Sequence, residues 1–257
     1  MMKQVIAFSW WAIILFAAVV ADATYVFPED LKDDCIIDIT HTYKNVMPSF
    51  DSPAGAKDII NERIGDITVT STITMGAHLG THVDTPSHIF KDLRGKVTVD
   101  NIKLSTLIGP VLVVQIPNEP SITEAVLRSL NIPRGVKRVI FKTRNTERKL
   151  MDQLAFEADY TAFTADGAKY LVDNTDIKFV GIDYMSIAKK EEICPVHQIL
   201  LDQNRGIIPV ENLKLDGVEP GSYTINCLPL RILAEAAPVR YDWQAQGIDS
   251  TFASICV

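Results

Sequence analysis

The chain has 257 residues, of which 47% are hydrophobic and 22% charged, and its formal net charge is −7. This length fits one sizeable domain, and no long linker, low-complexity tract or internal repeat divides it. Basic residues cluster only in short patches at residues 144–149 and 189–190, so the acidic balance argues against nucleic acid as a partner.

The N-terminus resembles an export signal. An uncharged, mainly apolar run follows Lys3 over residues 4–21, and Ala21-Asp22-Ala23 supplies the small-x-small pattern of a signal-peptidase site. We therefore expect residues 1–23 to be a cleaved signal peptide and the protein to be secreted. A retained membrane anchor is the alternative, but the run is at the short edge of the ~20 residues that a spanning helix needs. No comparable apolar run follows, so no membrane partner is expected after cleavage.

Four cysteines would enter this oxidising route, namely Cys35, Cys194, Cys227 and Cys256. None stands in C-x-x-C spacing, and a domain of this size needs no disulfide scaffold, so disulfides are possible but not required. The sequence has no Asn-x-Ser/Thr sequon, and N-glycosylation is not expected.

Residues 67–75 alternate apolar with small polar side chains, which predicts a half-buried strand. This strand leads directly into a stretch that holds three of the five histidines, His78-Leu-Gly-Thr-His82-Val-Asp84-Thr-Pro-Ser-His88. A turn whose histidines only satisfy local hydrogen bonds is the alternative, but this crowding favours a metal site. His78, His82 and Asp84 could supply three ligands and leave coordination positions open, as a catalytic metal requires.

Further strands and helices alternate along the rest of the chain. Short apolar runs at residues 111–114, 138–141 and 179–182 predict buried central strands, and residues 225–233 predict a later strand interrupted by Pro229. A capping box at Ser121-Ile-Thr-Glu124 predicts one helix, and Thr164 opens a second that runs through Leu171. A third helix could start with Pro195 as its first residue. The pattern indicates an α/β fold.

Several motifs, in order, resemble those of the cyclase family of metal-dependent hydrolases, which includes bacterial kynurenine formamidase, isatin hydrolase and plant cyclase-like proteins. The stretch from His78 to His88 matches the H-x-G-T-H-x-D-x-P-x-H signature at every fixed position. Asp38-Ile-Thr-His41, Met47-Pro-Ser-Phe50, Gly181-Ile-Asp-Tyr-Met-Ser186, Val196-His197 and Val210-Glu211-Asn-Leu213 resemble other family segments. The connecting sequence resembles the plant members most.

The resemblance implies a single domain over residues 24–240, with a β-barrel-like mixed sheet flanked by helices in the swivelling β/β/α type. Residues 241–257 extend beyond the usual end of relatives, and we expect them to be a variable tail, although they could pack on a neighbouring subunit. Family members commonly form homodimers or larger assemblies, so a homo-oligomer is expected.

Carried over residue by residue, the family pattern makes His78, His82 and Asp84 ligands of a first metal, with Asp84 able to bridge to a second. His197 and Glu211 match the second-metal ligands of the bacterial formamidases. The cofactor implied is therefore one or two divalent ions, zinc or manganese, per subunit.

Three other residues receive roles. His88 matches the family's catalytic histidine, and histidine is the commonest general acid/base near neutrality. His41 is expected outside the metal's first shell, in an orienting or structural role. Phe50 lies in a loop where relatives often place tryptophan or tyrosine against an aromatic substrate. It is a candidate substrate-binding residue, and a core or interface aromatic is the equal alternative.

The function implied is a secreted metal-dependent hydrolase of small amides that uses metal-activated water with His88 as general acid/base. By resemblance it is an arylformamidase, with N-formylkynurenine the best single substrate. No G-x-S-x-G elbow is present, which disfavours a covalent serine mechanism. The alternative from another class is a secreted or matrix-associated regulatory protein that keeps the metal fold with little turnover.

Overall fold

A mixed sheet lies at the centre of the fold, and seven of its eight strands close into a barrel. The computed structural model describes residues 36–245, so the signal peptide predicted at residues 1–23 lies outside the described residues. The strands are β1 (Ile36–Asp38), β2 (Val46–Ser49), β3 (Ser52–Lys57), β4 (Ile60–Ile64), β5 (Val69–Ile73), β6 (His82–Asp84), β7 (Ile108–Gln115), β8 (Ser121–Ile122), β9 (Arg138–Lys142), β10 (Ala162–Phe163), β11 (Phe179–Ile182), β12 (Ile208–Glu211), β13 (Gly221–Pro229) and β14 (Ala236–Ala245). The α-helices are α1 (Leu104–Leu107), α2 (Glu124–Ser129), α3 (Arg144–Glu147), α4 (Ala165–Asn174) and α5 (Ile193–Leu200).

The barrel runs in the order β14-β13-β7-β9-β11-β12-β6 and closes because β14 also pairs with β6. The pairs β7–β9, β9–β11 and β11–β12 are parallel, whereas the remaining barrel pairs are antiparallel. β1 adds to the sheet by pairing with β14. This arrangement confirms the predicted α/β fold with a β-barrel-like mixed sheet and flanking helices.

The apolar core has two large parts, one on each face of the closed sheet. One cluster takes side chains from all seven barrel strands, including Ile140 and Phe179, and therefore fills the barrel interior. The other contains Val139 and Phe141, the neighbours of Ile140 on β9, together with Leu171 of α4 and residues of α2 and α5. Because successive side chains of a strand point to opposite faces, a strand buried on both sides reads as a continuous apolar run.

The predicted strands at residues 138–141 and 179–182 are confirmed as β9 and β11, and residues 111–114 lie inside β7. The strand predicted at residues 225–233 is displaced, since β13 begins at Gly221 and ends at Pro229. Leu230 N still donates to Pro238 O at 2.9 Å, but Pro238 has no N–H with which to return the bond, which accounts for the end of β13 at this point.

The strand expected at residues 67–75 forms as β5, but the prediction that it is half-buried is wrong, because every residue of β5 is exposed. β5 pairs only with β4, and this pairing places Ile64 opposite Val69 and Ile60 opposite Ile73 on one face. The alternating pattern therefore marks one apolar face of the hairpin. On this face Ile60 is half-buried and packs against the small apolar cluster that contains Met47 and Leu79, whereas Ile64, Val69 and Ile73 remain exposed.

Helix starts agree with the sequence in part. α4 begins after Thr164 as predicted and continues beyond Leu171 to Asn174. The N-cap of α2 is Thr123, whose hydroxyl accepts a hydrogen bond from Val126 N, so the capping box assigned to Ser121 is wrong. Ser121 instead lies in β8, which pairs with β10. α5 begins two residues before Pro195, at Ile193.

β14 continues through Ala245, five residues past the domain boundary expected at Arg240, and residues 246–257 lie outside the described part of the chain. Within residues 36–245 the thiols of Cys194 and Cys227 are free. In the same range, helices are all too short or too polar for a transmembrane span.

Candidate metal centre

A three-residue strand places the first pair of candidate ligands. His82 and Asp84 are alternate residues of β6, so their side chains share one face of the sheet while Val83 points into the barrel core. β12 pairs with β6 so that Glu211 lies directly opposite His82. The strand pairing that closes the barrel therefore brings together residues that are far apart in the sequence.

The other two candidate ligands reach the same point from outside the sheet. His78 comes from the loop between β5 and β6 and is half-buried, whereas His197 is buried on α5. The Asp84 carboxylate is the common neighbour: its oxygens lie 3.0 Å from His78 Nδ1, 3.5 Å from His82 Nε2 and 3.7 Å from His197 Nε2. The Glu211 carboxylate lies 3.3 Å from His82 Nε2 and 3.4 Å from His197 Nε2. All five predicted ligands thus meet in one cluster.

Backbone groups fix how these ligands point. His82 Nδ1 lies 2.8 Å from Gly80 O and His197 Nδ1 lies 2.8 Å from Ile193 O, so each ring presents Nε2 to the carboxylates. Glu211 Oε1 accepts a hydrogen bond from Ile187 N at 2.7 Å. Such outer hydrogen bonds set the tautomer and orientation of metal-binding imidazoles and carboxylates.

The turn before β6 depends on a glycine. Gly80 has φ +65°, and a Cβ there would lie 2.9 Å from the Tyr43 ring. Tyr43 in turn donates a hydrogen bond to Leu79 O at 2.7 Å. A left-handed conformation combined with close packing excludes a side chain, which explains why the signature carries glycine two residues before His82.

The charges of the cluster are strongly coupled. Burial alone would lower the pKa of His82 and of His197, but the adjacent Glu211 carboxylate, 3.3 and 3.4 Å from their Nε2 atoms, and the charge of Asp84 outweigh it and raise both pKa values to about 9. Burial would likewise raise the pKa of Asp84 and Glu211, yet the surrounding imidazoles hold both below their ordinary values. Without a metal, two imidazolium ions and two carboxylates would compensate one another here.

The same residues fit a divalent metal. His82 Nε2 and both oxygens of Asp84 are buried, and none of their close contacts among the described residues has the geometry of a hydrogen bond. Three buried polar atoms without hydrogen bonds cost free energy unless another group, such as a metal ion, satisfies them. Imidazole nitrogen and carboxylate oxygen are ligands that zinc and manganese accept. Ligand atoms of His78, His82 and Asp84 all lie within 4.8 Å of one another, as one ion would require.

His88 lies beside the cluster, at the end of a short 3-10 helix that follows β6. Its ring centroid is 4.2 Å from that of His78 and 5.4 Å from that of His197. Burial lowers the pKa of His88, which keeps the ring neutral at pH 7. His88, Asp84 and His197 also form a second group close enough to hold an ion, so the geometry allows His88 to serve as a ligand as well as a proton carrier.

A cavity of about 580 Å³ opens onto the cluster and is lined by His78, His88, His197 and Glu211. Phe50 lines the same cavity from the turn between β2 and β3, and its ring packs 4.5 Å from that of Phe156. Both roles expected for Phe50 are therefore open to it, since its ring borders the cavity and also packs against another aromatic.

The family described as "Putative cyclase" matches residues 37–189. The chain belongs to this cyclase family. Cyclase-like protein 3 of Oryza sativa subsp. japonica is 44% identical over 211 residues, covering 80% of this chain and 78% of that protein. A kynurenine formamidase of Bacillus cereus (strain ATCC 10987 / NRS 248) is 31% identical over 182 residues, covering 70% of this chain and 81% of that protein.

Solved structures agree with the family assignment. A protein described as a potential metal-dependent hydrolase with cyclase activity superposes with a TM-score of 0.66 at 31% identity, covering 81% of this chain and 96% of its own. The chain therefore has the fold of cyclase-family metal-dependent hydrolases, with a His/Asp cluster that can bind a metal.

Two residues near the site have roles that sequence reasoning missed. Glu235 lines the cavity, with Oε1 3.6 Å from His78 Nε2. Asn212 has φ +58°, and its side-chain amide donates to Gly80 O at 2.9 Å, which ties β12 to the turn before His82. The position of Asn212 directly after the candidate ligand Glu211 could have indicated that it belongs to the site. Nothing in the sequence around Glu235 indicates that this residue reaches the cavity.

His41 is not part of the cluster. Its backbone N–H donates to Thr81 Oγ1 at 3.0 Å, and that hydroxyl donates to Asn212 O at 2.6 Å. Burial lowers the pKa of the His41 ring, which is consistent with the structural role expected for it.

Proposed function

We propose that this protein is an amidohydrolase that removes the formyl group from small aryl formamides, with N-formylkynurenine as the first candidate substrate. The observation that carries the proposal is the set of unsatisfied buried atoms of His82 and Asp84 beneath an open cavity that His88 also lines. Relatives named kynurenine formamidase support the choice of a formamide. A cavity of about 580 Å³ is of a suitable size for a substrate of one aromatic ring and a short side chain.

His78, His82 and Asp84 would hold one metal, and His197 and Glu211 would complete a second position that shares Asp84. A divalent metal held there supplies Lewis-acid activation of water and of the scissile carbonyl. The chain's own part is to fix these ligands through Gly80, Ile193 and Ile187, as described above.

His88 carries the proton. Because burial keeps its ring neutral, it can accept a proton as water adds to the formyl carbon and return it to the aryl nitrogen as the C–N bond breaks. The products are formate and a free aryl amine. Phe50, at the edge of the cavity, would contact the aromatic ring of the substrate.

The test is a pair of measurements on zinc- or manganese-loaded protein. The unmodified protein should hydrolyse an aryl formamide, lose activity with a chelator and regain it with added metal. His88→Ala should keep its metal content and melting temperature but lose about two to four orders of magnitude in turnover, the usual contribution of a positioned general acid/base.

Two results would contradict this assignment. Loss of a metal equivalent in His88→Ala would make His88 a ligand instead of a proton carrier. Absence of turnover of any formamide, lactam or ester by the fully metallated protein would favour a secreted regulatory protein that only keeps the metal fold.

Export and self-association are part of the same proposal. Residues 1–23 have the pattern of a cleaved signal, and N-terminal sequencing of the protein recovered from the medium should begin near residue 24.

A second copy of this chain would cover the apolar face of the β4–β5 hairpin, where Ile64, Val69 and Ile73 are exposed. A two-stranded hairpin is only marginally stable in water by itself, so burial of this face against another subunit would stabilise it. Ile64→Ser combined with Val69→Ser should convert a dimer to a monomer in sedimentation.

A further inference from the structure

Histidines aside, the charged side chains that line the cavity above the metal centre are acidic. Apart from the candidate metal ligands, its lining includes two carboxylates, Asp51 and Glu235. No lysine or arginine lines it within the described residues. Away from the metal-site histidines, a group on the substrate would therefore meet these two carboxylates and no cationic side chain.

Glu235 is held in place by its own backbone. Its carbonyl accepts hydrogen bonds from Thr85 N at 2.9 Å and from Thr85 Oγ1 at 2.8 Å. The next residue, Ala236, pairs with Asp84 across β14 and β6. The backbone of Glu235 is therefore held beside the candidate metal ligands. Its side chain remains 44% exposed to the cavity and solvent.

Asp51 adds the second charge from another part of the chain. It is exposed in the turn between β2 and β3, directly after Phe50. Because Phe50 packs against Phe156, this turn is anchored, and the charge stands next to an aromatic side chain that borders the cavity.

A competing positive charge lies farther out. The Nζ atom of Lys190 is 5.6 Å from the centroid of the Phe156 ring, and Lys190 does not itself line the cavity. A substrate carboxylate is normally held by a cation, most often arginine, in direct hydrogen-bond contact. Among the described lining residues this cavity supplies none.

We propose that this site selects aryl formamides whose side chain ends in an ammonium group and discriminates against those whose side chain ends in a free carboxylate. The inference rests on the proposed formamide hydrolysis and narrows its substrate class. An amino-acid side chain, as in N-formylkynurenine, carries both charges and should be intermediate, because only its ammonium group finds partners.

Four matched compounds test the proposal. All are 2-formamidophenyl ketones with the same ring and scissile bond, and their side chains end in an ammonium, a methyl, an amino acid or a carboxylate group. We expect kcat/KM to fall from the ammonium to the carboxylate compound by about 4- to 25-fold at low ionic strength, since each of the two exposed carboxylates contributes about two- to fivefold. Addition of 1 M salt should reduce this ratio. Calorimetric binding of the four product amines to metal-loaded protein should follow the same order.

Variants assign the effect to residues. Glu235→Gln and Asp51→Asn should each reduce the ammonium-to-carboxylate ratio by about two- to fivefold, whereas Lys190→Gln should leave it unchanged. The ratio is measured within one preparation, so any loss of metal from a variant cancels.

The outcomes separate this inference from the proposed function. Turnover of all four formamides at equal kcat/KM, or a ratio that changes with Lys190→Gln and not with Glu235→Gln, would overturn the charge selection and leave the hydrolase assignment in place. If the four product amines bound in the expected order but no formamide were hydrolysed, the charge selection would be supported and the hydrolase assignment would be refuted. Equal binding without turnover would refute both.

Discussion

Glu211 is the residue whose replacement tests the electrostatics of the centre most directly. It is 4% exposed, and its carboxylate lies 3.3 Å from His82 Nε2 and 3.4 Å from His197 Nε2. Glu211→Gln keeps the size of the side chain and can still accept a hydrogen bond from Ile187 N. It removes only the charge, so the effect on the metal-free protein isolates the ion pairs.

The expected magnitude follows from burial. Removal of one partner of a buried pair costs about 3–5 kcal/mol when the remaining charge is left uncompensated. Asp84 still faces both imidazoles, which can also release their protons, so we expect a loss of about 3 kcal/mol in the free energy of unfolding. For a domain of this size, 1 kcal/mol corresponds to about 2–4 °C, which predicts a fall in melting temperature of about 6–12 °C.

The loss should depend on pH in a defined direction. Glu211 and Asp84, acting against burial, raise the pKa of His82 and His197 to about 9, above the ordinary 6.5. A folded-state pKa above the unfolded value stabilises fully below pH 6.5, and this stabilisation is lost as pH rises through 9. The unmodified metal-free protein should therefore become less stable between pH 6.5 and 9. The difference between it and Glu211→Gln should be largest at pH 6 and narrow at pH 9.5.

Thermal unfolding in excess chelator at pH 6 and pH 9.5 measures both quantities, with Glu235→Gln as the matched control. Glu235 lies at the same cavity but is 44% exposed, so its replacement should cost at most about 1 kcal/mol and change the melting temperature by no more than about 4 °C. If Glu211→Gln melted within 2 °C of the unmodified protein at pH 6, the Glu211 carboxylate would not be a partner of the two imidazoles.

Under saturating zinc or manganese, the same variant should also lose about one metal equivalent per subunit. A stoichiometry of one in the unmodified protein would indicate a mononuclear site.

Three further predictions concern other parts of the chain. His82→Ala should lower the metal content and the melting temperature of metal-loaded protein, because a metal that binds only the folded state stabilises it, and unchanged values in elemental analysis and thermal unfolding would exclude His82 as a ligand. Phe50→Ala should raise KM for an aryl formamide at least fivefold while the melting temperature stays constant. If Phe50 had only a structural role, the melting temperature would fall and KM would stay constant. Gly167→Ala should destabilise the fold by at least 2 kcal/mol in denaturant unfolding despite the helix preference of alanine, since a Cβ there would lie 2.1 Å from Ile122 O.

Local sequence was sufficient where the determinants lie within a few residues of one another. The apolar runs of β9 and β11 predict strands buried on both faces, and Thr164 predicts the start of α4. His78, His82 and Asp84 fall within seven residues, so a turn and a short strand already bring them to one side of the backbone. Local pattern did not predict that the β4–β5 hairpin is exposed, because periodicity reports an apolar face and not what covers it.

The amino-acid sequence by itself determined the closely spaced part of this site, namely the signature from His78 to His88 and the conformations that Gly80 permits. The resemblance of its motifs to a family added His197 and Glu211 as candidates. Only the tertiary structure decided that Glu211 lies opposite His82, that α5 directs His197 at Asp84 and that Glu235 reaches the cavity. These contacts join residues more than a hundred positions apart, and they depend on the register in which β6, β12 and β14 close the barrel. Strand register is a property of the packed barrel as a whole, since a shift by one residue would turn each side chain to the opposite face.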